Sequence, residues 1–402
     1  MKKFNQNSLV FFFAVIFVII GYFGNMIRPI ISTLTEVGMD IKRGQIEEAL
    51  ELRKSFDKIT GENLLYRDML NDIHSGKENL LGTRVIQKDD EVVVKADNNS
   101  LKSAKTEIIG DTEFNRMISE IKELEAVTKT NGGQFLYCGV PTKEYYSASL
   151  PSNVSANQGE NYVRLIEELR ENEIPFVDMA EVFDQSGISE NEIYFKTDHH
   201  WTPKAGFLAN RMICEELGSR YGFNFDQEYT SLENYEIKTY SDLFLGSYGK
   251  KVGTYFSWDG ADDFDLITPK FETQLTEEQP FKNEVREGSF EDTVLFRENL
   301  KKDYYNVDTY STYSGGNYRL EIIKNNLNTN GEKILLVRDS YGQIISPFLS
   351  LQAAELHTCD VRSGGMYVGE KLNMKDYIES IKPDYVVVMY SGISALKDDT
   401  FF

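Results

Sequence analysis

Asp198-His199-His200-Trp201 sets a carboxylate beside two imidazoles, within the stretch Tyr194-Phe-Lys-Thr-Asp-His-His-Trp-Thr-Pro203. The chain has only four histidines, so half of its imidazole chemistry is gathered at this point. Far downstream lies Ile334-Leu-Leu-Val-Arg-Asp-Ser340-Tyr-Gly, an apolar strand pattern that ends in an Asp-Ser turn. A histidine with a neighbouring carboxylate and a serine at a strand tip are the parts of a nucleophilic acyl-transfer site. In extended backbone, residues two apart point the same way. Asp198 can then accept from one ring nitrogen of His200 and leave the other as a base. Two plainer readings stand beside this one: a serine before a helix is an ordinary N-cap, and a histidine–carboxylate pair can be purely structural. Metal binding by Asp198, His199 and His200 is the rival chemistry. Against it, consecutive histidines face opposite sides of a strand, and only His74 and His357 remain as further imidazoles. His199 reads as a supporting or packing residue, and Trp201 as either a sugar platform or core.

The elements that must position these residues alternate. Helix patterns near Glu113 to Lys129 and Tyr162 to Glu171 lead into apolar strands at Phe135 to Val140 and Ile174 to Met179. Thr202-Pro203 supplies an N-cap and a first-turn proline for a helix near Lys204 to Leu217. Strands near Lys333 to Val337, Ala354 to Val361 and Tyr385 to Met389 continue the rhythm. This alternation predicts an α/β fold with a mainly parallel sheet. Ser340 then falls at a strand-to-helix junction, where open α/β sheets bind ligands and helix N–H groups can hold an oxyanion. Residues 220 to 320, rich in Tyr, Phe, Asp and Glu, break the rhythm and read as an insertion near the site. Thr83 to Lys88 and Glu91 to Lys95 form a hairpin pattern around Asp89-Asp90.

A net charge of −21 excludes nucleic acid, whose binders need basic patches, and disfavours anionic lipid. Attachment to a membrane must therefore be hydrophobic. Lys2 and Lys3 precede the apolar run Leu9 to Phe23, no charge appears between Lys3 and Arg28, and no A-x-A-like cleavage site follows. Residues 1–28 thus read as a single-pass transmembrane signal anchor with a cytoplasmic N-terminus and everything beyond it extracellular. Residues 29–110 read as a membrane-proximal helical stalk with the hairpin, and 111–402 as the catalytic domain. Cys138, Cys214 and Cys359 are scattered and read as small buried hydrophobes.

Thr197-Asp-His-His-Trp-Thr-Pro203 carries the signature of the DHHW family of bacterial membrane-anchored proteins. The chain resembles that family further at Val140-Pro-Thr-Lys143, Phe244-Leu-Gly-Ser-Tyr-Gly249, Tyr313-Ser-Gly-Gly-Asn317, Arg338-Asp-Ser-Tyr341, Pro347-Phe-Leu349 and Asp360-Val-Arg362. The family is similar to the SGNH-hydrolase-like proteins of alginate O-acetylation, in which an Asp-x-His element precedes the serine. The α/β-hydrolases are excluded, because Ser340 lacks a Gly-x-Ser-x-Gly elbow and the order Asp, His, Ser is wrong for that fold. The resemblance implies an SGNH-hydrolase-like sheet flanked by helices, in permuted motif order. It makes Ser340 the nucleophile, His200 the base and Asp198 its orienter. Arg362, with Trp201 and Tyr341, becomes a candidate substrate contact. Gly315, Gly316 and Asn317 are either oxyanion donors or an ordinary turn.

The implied activity is O-acetylation of a cell-surface or secreted polysaccharide through an acetyl-serine, with no cofactor. A multi-pass membrane O-acyltransferase is the implied partner, delivering acetyl groups across the bilayer. The same triad with water as acceptor would make a carbohydrate esterase, and a silent glycan-binding or assembly protein would keep the fold alone.

Overall fold

A computed structural model describes residues 67–402, apart from 89–90, 105–107, 153, 155–156, 258, 329, 363–369 and 392–400. The expected anchor at residues 1–28 and the stalk up to residue 66 lie outside the described residues. Among the described residues no helix is long and apolar enough to cross a membrane. The chain divides into two units, residues 1–78 and 79–402, and of the first the described part belongs to helix Arg67–Leu80.

In chain order the strands are β1 (Val85–Lys88), β2 (Glu91–Lys95), β3 (Leu101–Ser103), β4 (Gln134–Val140), β5 (Phe176–Asp178), β6 (Tyr235–Phe244) and β7 (Asp262–Pro269). There follow β8 (Leu275–Gln279), β9 (Glu284–Gly288), β10 (Glu321–Asn325), β11 (Lys333–Arg338), β12 (Glu355–Cys359) and β13 (Tyr385–Ser391). The central sheet has eight strands in the order β5-β4-β13-β11-β12-β10-β8-β9. From β5 to β12 all pairings are parallel, and β10, β8 and β9 extend the sheet antiparallel.

The parallel strands are apolar on both faces because both faces are covered by helices. Alternate residues part to opposite sides. Leu136, Cys138, Ile334, Leu336, Val387 and Met389 pack on one side with helices Pro203–Tyr221 and Gly342–Leu349. Phe135, Tyr137, Leu335, Val337, Val386 and Val388 pack on the other, with helices Asp111–Thr130, Gln158–Glu171 and Met374–Ile381. The result is an α/β fold with a mainly parallel central sheet and flanking helices. Cys138, Cys214 and Cys359 are all buried and free, as small core residues.

The helix after the histidine pair starts where its residues dictate. Thr202 accepts a hydrogen bond from Ala205 N, Pro203 occupies the first turn, and Gly222 ends the helix at φ +78°. The stretch 220–320 is less separate than its composition predicts. It contributes the β6–β7 ribbon, but also β8 and β9, which pair onto β10 and complete the central sheet. Strand β8 buries alternate residues, so one polar-looking stretch still has a core face.

Candidate active site

Strand β11 runs along the middle of the parallel sheet, between β13 and β12, and delivers Ser340 just beyond its C-terminal end. Asp339 fixes the turn, accepting from Tyr341 N (3.0 Å), Ser391 N (2.7 Å) and Ser391 Oγ (2.6 Å). The Tyr341 amide is thereby spent. Gly342 then opens helix Gly342–Leu349, and a Cβ there would meet Arg338 Cδ at 2.2 Å. The bare glycine lets the Arg338 side chain pass beneath the serine turn.

The histidine pair sits on a loop rather than an extended strand. A bridge between Tyr194 and Trp201 closes the loop, with Thr202 N donating to Ile193 O at 2.7 Å. Asp198 and His200 meet all the same, through a local Asx-type arrangement. Asp198 Oδ1 accepts from His200 N (2.9 Å) and lies 2.6 Å from His200 Nδ1. His200 Nε2 lies 2.7 Å from Ser340 Oγ. The three residues therefore form a continuous hydrogen-bonded chain.

Many fastenings hold this loop. Lys143, itself buried, donates from Nζ to Phe195 O (2.5 Å), Lys196 O (2.9 Å) and Asp198 O (3.0 Å). Asp262 accepts from Lys196 N, Thr197 N and Thr197 Oγ1 at 2.7, 2.8 and 2.6 Å. The Tyr341 hydroxyl donates to His199 O. Ser247 N donates to Asp198 Oδ2, which occupies the second carboxylate oxygen. Burial alone would raise the Asp198 pKa, but His199, His200 and the Ser247 amide outweigh it and hold the carboxyl well below its usual range.

Gly246 is a required close approach. A Cβ there would lie 2.1 Å from Asp198 Cβ and 2.6 Å from its Cα. Gly246→Ala is expected to displace the carboxylate and lower turnover by about 10², the scale of an ångström misplacement. Ester turnover beside a thermal melt checks this, and wild-type turnover in a folded variant would refute the contact.

Rings enclose the His200 imidazole. Tyr310 stacks on one face (centroids 4.0 Å apart, planes 16° apart) and His199 lies on the other at 3.8 Å. His199 packs as its sequence reading expected, whereas Tyr310 was legible only as part of the tyrosine-rich stretch expected near the site. The donor atoms of Asp198, His199 and His200 lie within 4.8 Å of one another, near enough for a metal. Their hydrogen bonding is already complete on the Asp198 side, with Oδ1 on His200 and Oδ2 on Ser247 N.

Of the remaining candidates, Trp201 takes the second of its two readings, core, and Tyr341 is corrected. Trp201 is fully buried, edge-on to Phe183 and Tyr341, with Nε1 donating to Tyr341 O at 3.1 Å. It has no face for a sugar and joins the two site segments instead. Tyr341 is buried too, its hydroxyl taken by the His199 carbonyl, so it positions the loop rather than meeting substrate. Arg362 stands beyond β12 with its head group gripping Asp360, Nε to Oδ1 at 2.9 Å and Nη2 to Oδ2 at 2.6 Å.

The loop candidates divide. Gly316 turns its carbonyl to Arg338 Nη2 at 3.3 Å, and Gly315 lies at φ +68° against Phe296 and the Tyr318 hydroxyl. Asn317 Oδ1 accepts from Arg338 Nη1 (2.7 Å) and Gln343 Nε2 (3.2 Å), residues that flank Ser340 on either side. Its amide oxygen is thus pinned, and the NH2 group is turned the other way.

A mainly parallel α/β sheet thus carries a hydrogen-bonded serine–histidine–aspartate arrangement just beyond β11. Residues 100–243 match the family model described as the SGNH hydrolase-like domain of acetyltransferase AlgX. Among solved structures, PatB1 of Bacillus cereus is similar in fold. With a sulfonyl adduct it has a TM-score of 0.63 at 20% identity, covering 78% of this chain and 98% of that one. A second PatB1 structure gives 0.62 at 20%, over 78% and 99%. A DHHW family protein from Eubacterium siraeum gives 0.53 at 21%, over 77% and 93%. No curated protein gives a significant sequence match.

Proposed function

We propose that this protein is an extracytoplasmic O-acetyltransferase that modifies a cell-surface or secreted polysaccharide through an acetyl-Ser340 intermediate. The observation that carries the reading is the unbroken chain Asp198–His200–Ser340, with contacts of 2.6 and 2.7 Å. His200 Nε2 takes the Ser340 proton as Oγ attacks the acetyl carbonyl, and Asp198 holds the ring in the tautomer that can receive it. The Ser340 N–H and the Asn317 NH2 stabilise the oxyanion, the latter oriented by Arg338 and Gln343. The donor's leaving group departs with the proton from His200. A sugar hydroxyl then repeats the sequence in reverse, giving its proton to His200 and regenerating Ser340.

The similarity to an AlgX-type acetyltransferase domain supports the choice of acetyl transfer. Residues 1–28 anchor the domain in the cell membrane on this reading, the N-terminus cytoplasmic and the catalytic domain outside. A multi-pass membrane O-acyltransferase then presents the acetyl group, since acetyl-CoA is confined to the cytoplasm. The triad itself needs no cofactor.

The nucleophile is tested by mass spectrometry of the soluble domain after exposure to 4-nitrophenyl acetate or a sulfonyl fluoride. One adduct is expected, on the peptide containing Ser340, and none in Ser340→Ala. An adduct elsewhere, or an equal one in the variant, would remove Ser340 from the mechanism.

A further inference from the structure

The acyl-enzyme mechanism uses one of the two adjacent imidazoles and leaves the other without a task. His199 is nevertheless held as firmly as a site residue. Its Nδ1 lies 2.8 Å from Ser247 Oγ and 3.6 Å from Asp198 Oδ1. Its carbonyl is bound by the Tyr341 hydroxyl, and its ring lies 3.8 Å from that of His200. Asp198 and Trp201 on either side are buried, and the His200 side chain is only 11% exposed, whereas the His199 side chain is 37% exposed. His199 is therefore the ring of this cluster that a ligand arriving from solvent can touch.

The chemistry of its free edge follows from its fixed edge. The Asp198 carboxylate lies on the Nδ1 side and draws the ring proton there, towards Ser247 Oγ. Among the described residues Nε2 has no hydrogen-bond partner. It presents a bare lone pair, an acceptor for a hydroxyl.

We propose that His199 is a specificity-determining residue, whose Nε2 accepts a hydrogen bond from the hydroxyl next to the one being acetylated and so selects a polyhydroxylated acceptor over water. The proposal rests on the acetyl-Ser340 reading above. With His199 against the face of His200 and the ring centroids 3.8 Å apart, neighbouring hydroxyls of one sugar can engage one imidazole each. The hydroxyl at His200 gives its proton to Nε2 as its oxygen bonds the acetyl carbon. Ser340 Oγ then leaves and recovers that proton from His200. Water must serve both imidazoles from one oxygen held at the acetyl carbon, whereas a vicinal diol brings a second oxygen to His199, so water gains less from this residue.

The test measures how the acetyl group partitions. Wild-type protein, His199→Phe and His199→Gln are acetylated with 4-nitrophenyl acetate in the presence of glycerol, a soluble vicinal polyol. The ratio of acetylglycerol to free acetate is then measured, with acetyl-Ser340 followed by mass. Phenylalanine retains a flat ring beside His200 but offers no acceptor, and its ratio is expected to fall about tenfold, the scale of one lost polar contact. Glutamine retains an acceptor and is expected to recover part of the ratio. If both products fall by the same factor in His199→Phe, the residue acts only through His200 and the proposal is overturned. A wild-type acetyl-enzyme that gives no acetylglycerol overturns it as well. Absence of acetyl-Ser340 from the wild type would instead bring down the underlying mechanism.

Discussion

Asp198→Asn is expected to lose on the order of 10⁴ in turnover while the protein stays folded. Among the described residues the carboxylate is the only group bonded to His200 Nδ1, so it decides which ring nitrogen carries the proton. An asparagine turned to satisfy the Ser247 amide with its oxygen presents NH2 to His200. The imidazole then places its proton on Nε2, where it can no longer accept from Ser340. The Asn oxygen still accepts from the Ser247 amide, and Lys143 still holds the Asp198 carbonyl, which is why the loop should survive. Burst kinetics with 4-nitrophenyl acetate, beside a circular dichroism melt, measure both halves of the expectation. Wild-type rates in the folded variant would refute Asp198 as the orienting residue.

Lys143→Met carries the second large effect, and it falls on stability as well as rate. The Lys143 ammonium satisfies the carbonyls of Phe195, Lys196 and Asp198 in a buried position. Methionine fills the space but donates nothing, and several buried carbonyls without donors cost about 3 kcal/mol in total. Turnover should fall by about 10², because the loop that carries Asp198 loses its clamp.

The same lysine gives stability a pH dependence of definite sign. Burial, the leading cause, lowers its pKa in the folded state from 10.5 to about 8. Between pH 8 and 10.5 the unfolded chain holds the proton more tightly, so this group makes the folded state more stable as pH rises. Below pH 8 the cost of the buried charge is fully present. Urea melts across that window should show the stability deficit of Lys143→Met widening towards alkaline pH. A deficit that narrows would contradict the assignment.

The parallel sheet was legible because its strands are short apolar runs between amphipathic helices, and periodicity reports such burial directly. The predicted strand near Lys333 and helix near Lys204 differ from β11 and helix Pro203–Tyr221 mainly at their ends. The triad was legible for another reason: histidine is scarce in this chain, and one stands at a chemically meaningful spacing from an aspartate. What escaped was context. Tyr341 looked like a ligand-facing aromatic and Trp201 could be read either way, because nothing in a single sequence distinguishes an aromatic at a cleft from one at a buried seam. Lys143 stood in a recognised motif, yet a lysine is ordinarily a surface residue, and only the converging carbonyls reveal its task. Tyr310 and Ser247 reach the site across long separations that no local pattern encodes. Strands β8 and β9 were hidden by their polar and charged residues: β8 buries only alternate positions, and the edge strand β9 buries none fully.

Trp201 also has a bearing on how competence arises in time. The nucleophile belongs to one chain segment and its base to another, and the indole N–H bond to Tyr341 O fastens the two together. Neither segment holds a working half-site. Until β11 has found its place between β13 and β12 and helix Pro203–Tyr221 has docked on helix Gly342–Leu349, Ser340 is an ordinary alcohol. Such long-range pairings are the slow part of folding. A nascent or partly unfolded chain is therefore chemically inert, and reactivity arrives all at once with the completed domain.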